Sequence, residues 1–118
     1  MRTTLATVVF AALGLSFGAA AHAKDVKVGI VQATSGGSAA LYGIMQKNAA
    51  ELAVSEINAS GTLGDLKLVS IYQDDAGDRG QTVNIFQRLI SQEKVKAIFG
   101  PTLTNSAFAA DPLAQKAK

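Results

Sequence analysis

The sequence has no cysteine, no tryptophan and a single histidine, His22, and these gaps remove much of the chemistry a small protein can carry. Without cysteine there are no disulfides, no thiolate nucleophiles and no zinc sites built on sulfur, although the absence does not decide the redox compartment. An excess of one charge is missing too, since 11 Lys and Arg stand against 9 Asp and Glu. The basic residues are dispersed (Lys27, Lys47, Lys67, Arg79, Arg88) and not interleaved with aromatics, which is the pattern of a solvated surface and predicts no nucleic-acid groove. What is present, 118 residues of which 48% are apolar and 17% charged, fits one folded unit rather than a disordered or fibrous chain.

The first 23 residues read as a signal peptide. Met1-Arg2 supplies a positive start, Leu5 to Ala20 an apolar run, and Ala21-His22-Ala23 the small-x-small form at which such segments are cut, so cleavage is expected after Ala23. A membrane anchor fits less well: the run is short, contains Gly14 and Gly18, and is followed by no basic stop-transfer cluster. Cleavage would remove His22 and leave residues 24–118 with neither His nor Cys. Most nucleophilic triads and most zinc sites are then excluded, and an enzyme would have to rest on carboxylates, lysine or a cofactor.

Along residues 24–118 strand patterns alternate with helix patterns. Val26 to Val31 is a β-branched run, and Tyr42 to Ile57 predicts a helix with Met45, Ala49, Leu52, Ala53 and Ile57 on its apolar face. Gly61 can end that helix in the left-handed conformation. Leu66 to Gln73 predicts a second strand whose imperfect alternation implies cover on both faces. Asp78 with Gln81 forms a capping-box pattern opening a helix to about Glu93, its apolar face made by Val83, Phe86, Leu89 and Ile90. Ala97 to Phe99 is a third strand, and a last helix begins near Thr104, expected to be short or kinked at Pro112. The order β-α-β-α-β-α predicts an α/β fold, a partial doubly wound parallel sheet with right-handed crossovers. An open edge and a plain Ala-Lys ending make the sequence read as part of a larger domain.

In open parallel sheets ligands bind beyond the carboxyl ends of the strands, a position held here by Gln32 to Tyr42, Asp74 to Gly80 and Gly100 to Ser106. In the third loop Thr104, Asn105 and Ser106 set hydroxyl and amide groups beside the free N–H groups of a helix start, which suits a carboxylate; simple helix capping would use the same residue types. Tyr42 offers a flat apolar face with a polar tip that could cover a ligand, or could merely pack. No phosphate-loop or dinucleotide fingerprint follows the first strand, and no G-x-S-x-G occurs. Asp74, Asp75 and Asp78 do not make a calcium loop, because Ala76 and Ile85 fall where oxygen ligands are needed. No metal and no cofactor are expected.

Taken together, V-K-V-G-I-V from Val26, L-Y-G at Leu41 to Gly43, the stretch Ala49 to Gly61, I-Y-Q-D-D-A-G-D from Ile71 and V-K-A-I-F-G-P-T from Val95 resemble the start of the periplasmic branched-chain amino-acid-binding proteins, type I solute-binding proteins of ABC transporters. The resemblance covers the whole of residues 24–118 and implies the N-terminal part of lobe 1 of a two-lobed clamp. It implies that Tyr42 is the aromatic position contacting the ligand, and that Thr104 holds the ligand's carboxylate with help from Asn105 and Ser106. Some members pair two cysteines where this sequence has Gly77 and Leu103, so that bridge is absent here.

The function implied is capture without chemistry: a periplasmic protein, monomeric when complete, binds an amino acid or related small carboxylate or amide, closes over it and delivers it to a membrane permease. A ligand-sensing receptor domain of the same fold and a secreted α/β enzyme are the alternatives. The first would carry a membrane span or signalling module downstream, and the second would turn its ligand over.

Overall fold

The computed structural model describes residues 23–117; residues 1–22, which hold most of the expected signal peptide, lie outside the described residues, as does Lys118. Three strands, β1 (Lys24–Gln32), β2 (Leu66–Asp74) and β3 (Ala97–Phe99), form a parallel sheet in the order β2-β1-β3. β1 pairs with β2 over its whole length, from Lys24 with Leu66 to Gln32 with Asp74, and with β3 only from Val28 to Ile30. Three helices follow the strands in turn: α1 (Ala40–Ser60), α2 (Arg79–Arg88), continued by a π-helical turn Leu89–Glu93, and α3 (Thr104–Lys116). The chain steps from β1 outward to β2 and then back across β1 to β3, so right-handed crossovers place α1 on one face of the sheet and α2 on the other.

The core lies on the α2 face. Val31 of β1 packs against Ile85, Phe86 and Leu89, with Ala110 of α3 closing the cluster, all of them 5% exposed or less. Ile85 was not among the residues expected on this face; it stands one turn before Leu89, which reaches over Gly29, so the two share the inward side of the helix. The Asp78 cap forms as expected, its carboxylate accepting the Gln81 N–H at 2.7 Å. The reciprocal half of the box does not, because the Gln81 amide donates to the Asp74 carbonyl instead. Gly61 ends α1 at φ 68° as its position implied.

Three expectations need correction. Met45 and Leu52 do not face the sheet; they are 61% and 60% exposed. The side of α1 turned to the sheet instead carries Gly43, buried where the helix comes close to the Ala33 backbone at the end of β1, and the half-buried Lys47, Ala50 and Val54, Lys47 lying over the Tyr72 ring. β2 is an edge strand with partly exposed residues along its length rather than a strand covered on both faces. α3 is not short: it runs through Pro112 to Lys116, with the proline exposed, as Phe108 and Asp111 are, where water can take the carbonyl the proline leaves free.

Candidate functional site

The three loops after the strands meet at one end of the sheet and are bonded to one another. Asp74 ties the first loop to the second: one carboxylate oxygen accepts the N–H of Thr34 at 3.0 Å and of Ala76 at 2.8 Å, and the Asp75 N–H donates to the Gln32 carbonyl. Thr34 also shares a hydrogen bond between its hydroxyl and that of Tyr72. Asp75 is buried and holds the second loop to α2, accepting from the Gly77 N–H at 3.0 Å and the Thr82 hydroxyl at 2.8 Å. The aspartates therefore point to separate partners, and among the described residues no cluster of His, Cys, Asp and Glu could hold a metal ion.

The third loop hooks onto the first. The Ala33 N–H donates to the Thr102 hydroxyl at 3.0 Å, and that hydroxyl donates to Gln32 Oε1 at 2.6 Å. Gln32 is a polar residue at the end of a buried strand and is only 1% exposed. Its amide nitrogen lies 3.5 Å from the Phe99 carbonyl. The second and third loops touch through Leu103, whose Cδ1 sits 3.1 Å from the place a Gly77 side chain would begin.

These ties fix where the expected site residues stand. Tyr42 is the third residue of α1, 64% exposed, next to Gly43, which lies directly against the Ala33 carbonyl. Thr104 begins α3 and is exposed together with Asn105. Tyr42 and Thr104 therefore share one end of the sheet through Ala33, whose carbonyl meets Gly43 and whose N–H meets Thr102. Ser106 is placed differently from its neighbours: it is fully buried, on the stripe of α3 that continues to Ala110 in the core, and its hydroxyl has no partner among the described residues. Its N–H is held by the Asn105 side chain at 2.9 Å.

At this helix start the N-cap Leu103 provides no side-chain bond, and among the described residues the N–H groups of Thr104 and Asn105 have no acceptor. Two aligned donors at the positive end of a helix dipole, beside an exposed threonine hydroxyl, make a seat for an anionic oxygen pair. Thr102 and Gln32 were not singled out by the sequence reading. The available signal was a glutamine closing an otherwise β-branched strand, where an apolar residue would be the default.

Asp74 makes the site sensitive to acid. Burial alone would raise its pKa, but hydrogen bonds from the Ser35 hydroxyl, the Ala76 and Thr34 N–H groups and the Thr34 hydroxyl outweigh it, and the net shift is downward. A carboxyl with a lowered folded-state pKa stabilises fully above its unfolded value and loses that contribution as pH falls through the folded one. The melting temperature is expected to drop below roughly pH 4 more steeply in the unaltered protein than in Asp74→Asn, in thermal melts across pH. Parallel curves would show that the carboxylate does not tie the loops.

A family profile described as "Periplasmic binding protein" matches residues 25–118. The chain is 36% identical over 94 residues to the Leu/Ile/Val-binding protein of Citrobacter freundii, an alignment covering 80% of this chain and 25% of that one. Its fold is similar to the crystal structure of the branched-chain amino acid transporter substrate binding protein LivJ from Streptococcus pneumoniae in complex with isoleucine, with TM-score 0.75, 33% identity, and coverage of 80% of this chain and 27% of that one. It is also similar to a solute binding protein of an ABC transporter from Rhodopseudomonas palustris in complex with 3,4-dihydroxy benzoic acid, with TM-score 0.67, 34% identity, and coverage of 78% and 24%. The chain spans about a quarter of the length of these relatives.

Proposed function

We propose a function from the following premise: the chain belongs to the periplasmic binding protein family. Within that family it forms one wall of an extracytoplasmic solute-binding protein that captures an amino acid or a related small carboxylate and delivers it to an ABC-transporter permease. The observation that supports this reading is the open start of α3, where among the described residues the N–H groups of Thr104 and Asn105 have no acceptor and stand next to the exposed Thr104 hydroxyl. A carboxylate seated there receives N–H donors already aimed by the helix, so binding requires little ordering of the protein. Tyr42, fixed to the same strand end, is positioned to cover the ligand's apolar part.

The ligands in the two similar structures, isoleucine and 3,4-dihydroxy benzoic acid, have a carboxylate in common and differ in the rest. That contrast fits a division of labour in which this wall holds the shared head and the remainder of the protein selects the side chain. The mechanism is capture by closure of a second lobe about a hinge, with no bond made or broken. Cleavage after Ala23 would release the protein into the periplasm, where a monomer suffices for delivery.

The test is a thermal-shift panel on the protein from the complete reading frame, with leucine, valine, polar amino acids, short amides, urea and aromatic carboxylates. One carboxylate class is expected to raise the melting temperature with increasing concentration, and Thr104→Ala to weaken the affinity about tenfold. A panel without any shift, or an unchanged affinity in Thr104→Ala, contradicts the reading. Residues 24–118 alone are expected to bind weakly or not at all, because they provide part of one wall; micromolar or tighter binding by that segment would show that the wall suffices.

A further inference from the structure

We propose that Thr102 and Gln32 are positioning residues for the ligand seat, clamping the loop that carries Thr104 to the strand end that carries Tyr42. The inference rests on the functional reading above and concerns residues that reading leaves unused. The clamp is a relay across 70 residues of sequence: the Ala33 N–H donates to Thr102 Oγ1, and the Thr102 hydroxyl donates to Gln32 Oε1. A threonine hydroxyl has one proton and two lone pairs, so one acceptance and one donation give it a single defined orientation. Gln32 cannot swing away to break the relay, because it is 1% exposed at the end of β1 and its amide faces the Phe99 carbonyl.

The relay joins places that nothing else fixes so directly. β3 pairs with β1 over only three residues, Val28 to Ile30, so the chain beyond Phe99 has no ladder to hold it. Thr102 lies three residues past that ladder and two before Thr104. On the other side, Ala33 contacts Gly43, which is adjacent to Tyr42. One hydroxyl therefore sets the spacing between the residue proposed to hold the carboxylate and the aromatic proposed to cover the ligand. Neither Thr102 nor Gln32 needs to touch the ligand, because a seat loosened by a fraction of an ångström already loses the alignment of its donors.

The experiment compares Thr102→Val, which keeps the shape and removes the hydroxyl, with Thr102→Ser, which keeps the hydroxyl, in the protein from the complete reading frame. Dissociation constants are measured by calorimetry with L-isoleucine and with 3,4-dihydroxybenzoate as probes, alongside the melting temperature without ligand. Thr102→Val is expected to weaken the bound probe about tenfold at a temperature where the variant is fully folded, and Thr102→Ser to stay within about threefold of the unaltered protein. An unchanged affinity in folded Thr102→Val, or a loss in Thr102→Ser as large as in Thr102→Val, overturns the proposal while leaving the functional reading intact. If the unaltered protein binds neither these probes nor any carboxylate of the thermal-shift panel, it is the functional reading that fails, and this proposal fails with it.

Discussion

Gly100→Ala is expected to destabilise the protein by about 3–5 kcal/mol, the largest effect of any single substitution considered. Gly100 has φ +125°, a conformation in which a side chain is strained regardless of its surroundings. The surroundings are also closed: a Cβ there would run into the Val31 carbonyl, with Gln32 Nε2 only 3.3 Å away. Relief would require the third loop to lift from β1, which would also pull Thr102 from Gln32 and Ala33. Urea denaturation measures the loss as a lowered midpoint, with the dependence on urea concentration unchanged if unfolding stays two-state. A loss below about 1 kcal/mol would mean that the loop adapts and does not hold the fixed contact described for it.

Gly43→Ala has a predicted sign opposite to that of helix propensity. In an isolated helix the change would stabilise by about 1 kcal/mol, since alanine is the best helix former and glycine among the worst. Here Gly43 is buried against the Ala33 backbone, and a Cβ would overlap the Ala33 carbonyl oxygen. Backbone cannot rotate aside as a side chain can, so α1 must shift away from β1, and a net destabilisation of about 2–3 kcal/mol is expected. Because Tyr42 moves with the helix, ligand affinity should fall with stability. A more stable Gly43→Ala variant would show that α1 does not dock at Ala33.

These two glycines mark the boundary of what the sequence makes legible. The alternation of strand and helix, the Asp78 cap and the Gly61 stop are local signals, encoded by residues within a turn of the feature they control, and all of them appear in the structure. The apolar face of α1 was misread because periodicity rewards large side chains, whereas the close approach at Ala33 demands small ones. Met45 and Leu52 satisfy the helical period and still point away from the sheet.

The site divides in the same way. The loops at the strand ends follow from topology, and the exposed Thr104 and Asn105 stand at the helix start where their pattern put them. Ser106, next in sequence, turns into the core because the helix brings every fourth position onto the α2 face. The bond from Thr102 to Gln32 links residues 70 apart and has no local signature beyond a polar side chain where an apolar one would be usual.

The central claim is that the start of α3 holds the carboxylate of a captured ligand. Its most direct test is a crystal structure of the protein from the complete reading frame with its ligand bound. The account predicts a ligand carboxylate within about 3 Å of the Thr104 hydroxyl and of the N–H groups of Thr104 and Asn105, with Tyr42 lying over the ligand. A ligand bound elsewhere, or one whose uncharged end sits at Thr104, would contradict it.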